Sequence, residues 1–152
     1  MRISACSLYT MRDLVRVFHA VSDETRLRIL NLLLERECCV CEVMQALEIS
    51  QTRASRNLGI LHDAGFLKLR KDGLWALYSI DREGMGDSLG ELTKVVGRAL
   101  EGSALAEADR VRLGEARRVG PKCVAVAGRS PDGSGRRSRR RRGVRETARG
   151  PA

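Results

Sequence analysis

Ile49-Ser50-Gln51-Thr52-Arg53-Ala54-Ser55-Arg56-Asn57-Leu58 is the stretch that decides the fold. Ser50 offers the side-chain oxygen that caps a helix N-terminus. Ala54, Leu58 and Leu61 recur at helical spacing, which predicts a helix over residues 51–64 with those three side chains inward. Gln51, Thr52, Arg53, Ser55, Arg56 and Asn57 then fall on its exposed first turns. A solvated polar face is the plain alternative. The residue types favour DNA: Arg suits guanine or phosphate, Gln and Asn suit adenine, and Ser and Thr suit phosphate.

Upstream, Val43, Met44 and Leu47 mark a short third helix over 38–47, and Glu48-Ile49-Ser50 leaves only a tight turn before the next. Two helices so joined, the second opening on small and polar residues, form a helix-turn-helix. Downstream, Gly65 ends the helix and residues 66–71 alternate in character. Asp72-Gly73 is a hairpin signal, and residues 74–80 return as a second strand. Lys68, Arg70 and Lys71 put positive charge on this wing, beside the DNA-reading helix, and Trp75 is expected to anchor its base.

Leu14, Val17, Phe18 and Val21 predict a first helix over 11–20, and Ser22 or Asp23 caps a second with Leu27, Leu30, Leu33 and Leu34 inward. A fifth helix over 87–101 carries a wide apolar face. A small domain leaves that face little to cover, so Leu89, Leu92, Val96 and Leu100 are expected to form a dimer interface. The expected class is mostly α with a small β-hairpin: a dimeric winged helix-turn-helix with its dimerisation helix after the wing. The expected organisation is an arm (1–10), this domain (11–101), a charged helical extension (102–122) and a basic tail (123–152). Leu105, Ala108, Val111 and Leu113 give the extension a weak stripe over 105–119.

Charge follows that division. Residues 1–101 hold 14 basic and 14 acidic side chains, whereas residues 102–152 hold 14 against 5. Six of the seven residues 136–142 are arginine. The tail cannot bury a core, so it is expected to be disordered and to add non-specific affinity for DNA. No apolar run nears the ~18 residues of a membrane span, and no signal-peptide core opens the sequence, so the expectation is a cytoplasmic protein without a membrane partner. If translation starts at Met11 rather than Met1, Cys6 has no role.

Three of the five cysteines crowd into Glu37-Cys38-Cys39-Val40-Cys41-Glu42. Cytosolic thiols stay reduced, so a cluster favours metal binding or redox sensing over structural disulfides. Thiolates select As(III), Sb(III), Cd(II), Pb(II), Zn(II) or Cu(I), and As(III) is satisfied by three sulfurs. Cys38, Cys39 and Cys41 are therefore the candidate ligands, with Cys6 and Cys123 as further candidates for an arm or tail, even of another subunit. Cys38 and Cys41 share a helical face and Cys39 does not, so convergence requires an unwound helix start, which suggests a switch. A helix start lowers a thiol pKa, whereas Glu37 and Glu42 raise it and favour a divalent cation. Small buried hydrophobes are the plain alternative for these thiols.

The motifs Ser22-Asp23-Glu24-Thr25-Arg26-Leu27-Arg28-Ile29-Leu30, Cys39-Val40-Cys41-Glu42, Ser50-Gln51, Ser55-Arg56 and Ala64-Gly65 occur in an order and spacing that resembles the ArsR/SmtB family of metal-responsive repressors. The resemblance covers residues 11 to about 101. It implies a dimeric winged helix that represses by binding operator DNA and releases it on binding metal. The Cys-Val-Cys-acidic motif looks like that of the arsenic and cadmium/lead branches. Met44 stands where some arsenic-responsive members carry a third cysteine, and the fifth helix lacks the histidines of the zinc branch.

Four readings follow. The first is a repressor released by As(III) or Sb(III), with Cd(II) or Pb(II) as the alternative ligand. The second is a metal-independent thiol redox sensor of the same fold. The third is a constitutive nucleic-acid-binding protein driven by its arginine tail. The fourth, a thiol reductase using Cys38 and Cys41, lacks the βαβ context such enzymes need. No Ser-His-Asp set, phosphate loop or paired carboxylates point to any other enzyme.

Overall fold

The computed structural model describes residues 10–119. The expectations for Cys6, Cys123 and the arginine tail lie outside the described residues. Six helices and three strands follow in the order α1 (Met11–Val21), α2 (Glu24–Glu35), β1 (Cys38–Cys39), α3 (Val40–Leu47), α4 (Gln51–Asp63), β2 (Leu67–Asp72), β3 (Trp75–Ile80), α5 (Asp87–Ala99) and α6 (Ala104–Glu115).

Local signals explain most of these boundaries. Thr10 and Asp13 form a reciprocal capping box at α1, and Asp23 accepts from the Arg26 amide at α2. Ser50 accepts from the Arg53 amide at α4. Glu48 takes a left-handed conformation to close the turn between α3 and α4. Gly73, at φ +59°, makes the tight turn between β2 and β3, whose register runs from Leu67 opposite Ile80 to Asp72 opposite Trp75.

The core lies beneath the helix-turn-helix, where Ile29, Leu30, Leu32, Val43, Leu58, Leu61 and Phe66 are fully enclosed. Arg26 ties three helices together from inside. Its guanidinium donates to the Ala20 and His19 carbonyls at the end of α1 and to Asn57 Oδ1 on α4. Among the described residues no helix is long and apolar enough to cross a membrane.

Three expectations are corrected. Residues 38–39 are not helical: they pair antiparallel with β3, Cys38 opposite Tyr78 and Cys39 opposite Leu77, so the sheet has the order β1-β3-β2. The face of α5, expected to find little to cover in so small a domain, packs on α2 within the protomer. Leu89 and Val96 belong to the core, and Leu92 and Leu100 pack against it, because α2 covers that face. The apolar side chains left uncovered include Met11, Leu14, Val15 and Phe18 on α1.

The third correction concerns α6, which docks on α3 and α2 chiefly through charge. Leu105 and Val111 of its expected stripe are exposed, whereas Asp109 is fully buried. Both Asp109 oxygens accept from Arg28, each at 2.7 Å, and Arg112 adds a further bond. Arg112 also donates to the Ala46 carbonyl, and Arg36, just after α2, donates to the Leu113 carbonyl.

Candidate metal centre and DNA interface

The strand at Cys38–Cys39 sorts the cysteines. Successive side chains on a strand point to opposite faces. Cys38 therefore enters the main core, fully buried, and its Sγ lies 3.4 Å from the Arg36 carbonyl. Cys39 points the other way, into a small cluster with Cys41, Leu77 and Trp75. Cys39 is also the N-cap of α3, and Cys41 lies in its first turn. Their sulfurs are 3.1 Å apart. Two thiolates on one soft ion lie roughly 3–4 Å apart for bonds near 2.3 Å, so this spacing fits a chelate once Cys41 is in its thiol form.

Cys38 and Cys39 are free thiols, and Cys41 is disulfide-bonded. Burial pushes the Cys38 thiol up to about 12, with the Arg36 charge only partly opposing it. Burial also raises the Cys39 thiol, despite amide contacts at the helix start. The expected lowering by the helix terminus is thus outweighed by desolvation. Among the described residues no group of three His, Cys, Asp or Glu side chains is gathered to hold a metal ion in this arrangement. Replacing Cys38 by serine should bury a hydroxyl in the apolar core and cost about 1–3 kcal/mol, read by urea unfolding, while leaving the response to thiophilic ligands unchanged.

Glu42 braces this corner. Its carboxylate accepts from the Cys39 amide at 2.8 Å and from Arg36 at 2.7 Å, with Arg118 at 3.4 Å. Burial works against the ionised form, yet the Cys39 amide and Arg36 outweigh it and hold the carboxyl below its ordinary value. Glu37 is paired with Arg70. Both acidic neighbours of the thiols are therefore neutralised, which offsets the preference for a divalent cation expected from them. The sequence reading missed Arg36, Arg118 and the packing of Trp75 on the thiol pair. Nothing local in the sequence signals these contacts, which come from the end of α2, the segment after α6, and β3.

Of the expected DNA-reading residues, Thr52, Ser55 and Arg56 are exposed on the first turns of α4, and Gln51 is half-exposed. Arg53 is exposed but donates to Thr25 Oγ1 at 2.8 Å. Asn57 is only 7% exposed; its carbonyl oxygen holds Arg26 and its amide donates to the Arg53 carbonyl, so it positions the helix rather than facing outward. Lys68 and Lys71 are exposed on the wing. Arg70 is committed to Glu37, with Asp72 also near, and so is less available to phosphate.

A family model described as "Bacterial regulatory protein, arsR family" matches residues 23–69. The arsenical resistance operon repressor of Bacillus subtilis (strain 168) is 32% identical over 82 residues, covering 53% of this chain and 78% of that protein. The chain belongs to the ArsR family. The cadmium resistance transcriptional regulatory protein CadC homolog of Staphylococcus aureus is 44% identical over 72 residues, 47% of this chain; the match spans 60% of that relative's length. Among solved structures, the homodimeric winged helix-turn-helix DNA-binding domain Mb0332 from Mycobacterium bovis is similar, with a TM-score of 0.51 and 29% identity over 59% of this chain and 80% of that one. The ArsR family match is to regulatory proteins, in line with the expectation that the chain is not an enzyme.

Proposed function

We propose that this ArsR-family chain is a cytoplasmic transcriptional repressor that binds operator DNA as a homodimer and releases it when As(III) or Sb(III) binds Cys39 and Cys41. The observation that carries the reading is the 3.1 Å sulfur pair at the start of α3. α3 packs on the DNA-reading α4, and Cys39 also pairs with the wing strand β3. A ligand that draws the two sulfurs together therefore acts on both DNA-contacting elements at once. The arsenical relative's name supports the ligand class. The cadmium relative's name keeps Cd(II) or Pb(II) as the alternative ion. The Cys41 disulfide favours a second reading, release by thiol oxidation without metal. Titration of reduced protein on its own upstream DNA, with arsenite, Cd(II) and peroxide in parallel, separates the three. Release by peroxide alone would overturn the metalloid reading.

For DNA, Arg56→Ala should weaken operator binding by about 1–3 kcal/mol, as for loss of a bidentate base contact. Lys71→Ala should weaken all sequences alike and reduce the salt slope by about 1. Fluorescence anisotropy at several salt concentrations reads both, and unchanged affinity in Arg56→Ala would displace α4 from the groove.

For the dimer, the uncovered apolar side chains of α1 support a second copy as partner, beside the α5 residues Leu92 and Leu100, which are only half-buried. Phe18→Glu should shift sedimentation from dimer to monomer. A dimer that persists would remove α1 from the interface.

A further inference from the structure

The polypeptide does not leave the molecule after α6. Ala116 takes an extended conformation, and residues 116–119 lie along α3 and over its start. Gln45 on α3 clasps Arg117 at two points: its amide nitrogen donates to the Arg117 carbonyl at 2.8 Å, and its oxygen accepts from the Arg117 amide at 3.2 Å. The Arg118 guanidinium lies 3.4 Å from Glu42 on α3 and 3.9 Å from Asp72 at the end of β2. The Val119 carbonyl lies 3.6 Å from Cys41 Sγ.

This placement shuts the thiol pair in. Cys39 is 3% exposed and Cys41 4%, although their cluster is separate from the main core. Leu77, fully buried on the central strand, and Trp75 back the pair from the sheet. Arg117, Arg118 and Val119 are themselves exposed, so one thickness of chain separates Cys41 from solvent on their side.

We propose that residues 116–119 are a cover on the Cys39–Cys41 pair, latched by Gln45 and Arg118, and that a thiophilic reagent reaches these sulfurs only when the cover lifts. Two neutral hydrogen bonds and partly exposed ion pairs are a weak hold, so the cover opens locally far more often than the domain unfolds. Closed again over a bound ligand, it slows exit as well as entry. Arg118 leaves Asp72 as well as Glu42 when the cover lifts, so the motion is felt at the end of the wing strand. That the cover meters the regulatory ligand rests on the pair being the ligand site; that it controls access to the sulfurs does not.

The test follows alkylation by iodoacetamide of the full-length protein, reduced with a phosphine, each cysteine being read by mass spectrometry. In the parent, Cys39 should react far more slowly than in the urea-unfolded chain. Gln45→Ala removes the two hydrogen bonds and leaves a good helix former, so it should speed Cys39 and Cys41 on the order of 10-fold. Arg118→Ala should speed them by about 3-fold, the size of partly exposed ion pairs. Cys38, in the main core, is the internal control and should keep its rate. Parent-like rates in both variants would overturn the cover, and so would a parent Cys39 that reacts at its unfolded-chain rate. An equal rise at Cys38 would overturn it too, because that is general loosening. Arsenite association, followed at Trp75, the single tryptophan and packed on the pair, should rise in each variant by the same factor as Cys39 alkylation. If alkylation rises and arsenite association does not, the cover stands and the pair is not the ligand site.

Discussion

Cys39→Ser and Cys41→Ser should each give a repressor that binds its operator normally and no longer lets go. Serine has the size of cysteine, and at position 39 it still offers an oxygen to cap α3. Helix α4 and the wing should therefore keep their places. A neutral hydroxyl is a hard, poor donor for As(III), so the chelate is lost. The arsenite concentration needed for release should rise by about 100-fold or more, since one arm of a multidentate ligand set is gone. Anisotropy of labelled operator DNA under a phosphine reductant measures it. Cys38→Ser is the contrast, costing stability without touching release. If release survives in both pair variants, the ligand is held elsewhere.

Asp109→Ala should produce the largest loss of stability. The carboxylate is fully buried, with Arg28 across both oxygens and Arg112 beside it. The Asp109 carboxylate holds the Arg28 charge above its ordinary pKa. Removing one member of a buried ion set leaves charge unpaired and costs about 3–5 kcal/mol. Urea unfolding should show that loss, and α6 should exchange its amides much faster. Because α6 leads into residues 116–119, whose Val119 carbonyl lies 3.6 Å from Cys41 Sγ, the variant should also bind arsenite less tightly. A cost of less than about 1 kcal/mol would mean that α6 is held by its few apolar contacts instead.

The helix-turn-helix and the wing were legible because their signals are local. The Ser50 cap, the Ala54-Leu58-Leu61 spacing, Gly65 and the Gly73 turn each report on a few neighbouring residues, and each stands where the sequence put it. The site was half legible. The cysteine cluster was visible, but a two-residue strand has no periodicity, and its partner, Leu77-Tyr78, lies far along the sequence. That pairing turns Cys38 into the core and leaves Cys39 beside Cys41 in a separate cluster. Asn57 reads as a base-contacting residue until Arg26 is seen behind it. The apolar face of α5 was legible as a face, but nothing in its own residues announces that α2 packs on it within the protomer. The weak apolar stripe expected of α6 gave no sign that a carboxylate would anchor it, and Asp109 is buried only because two arginines pair with it.

The central claim is that a thiophilic ligand on Cys39 and Cys41 releases the DNA. One titration tests it: arsenite added to the reduced protein on labelled operator, with anisotropy and Trp75 fluorescence followed together. Both signals should move with a single midpoint and saturate at one arsenic per protomer. DNA released while Trp75 is unmoved, or Trp75 saturated while the DNA stays bound, would contradict the account.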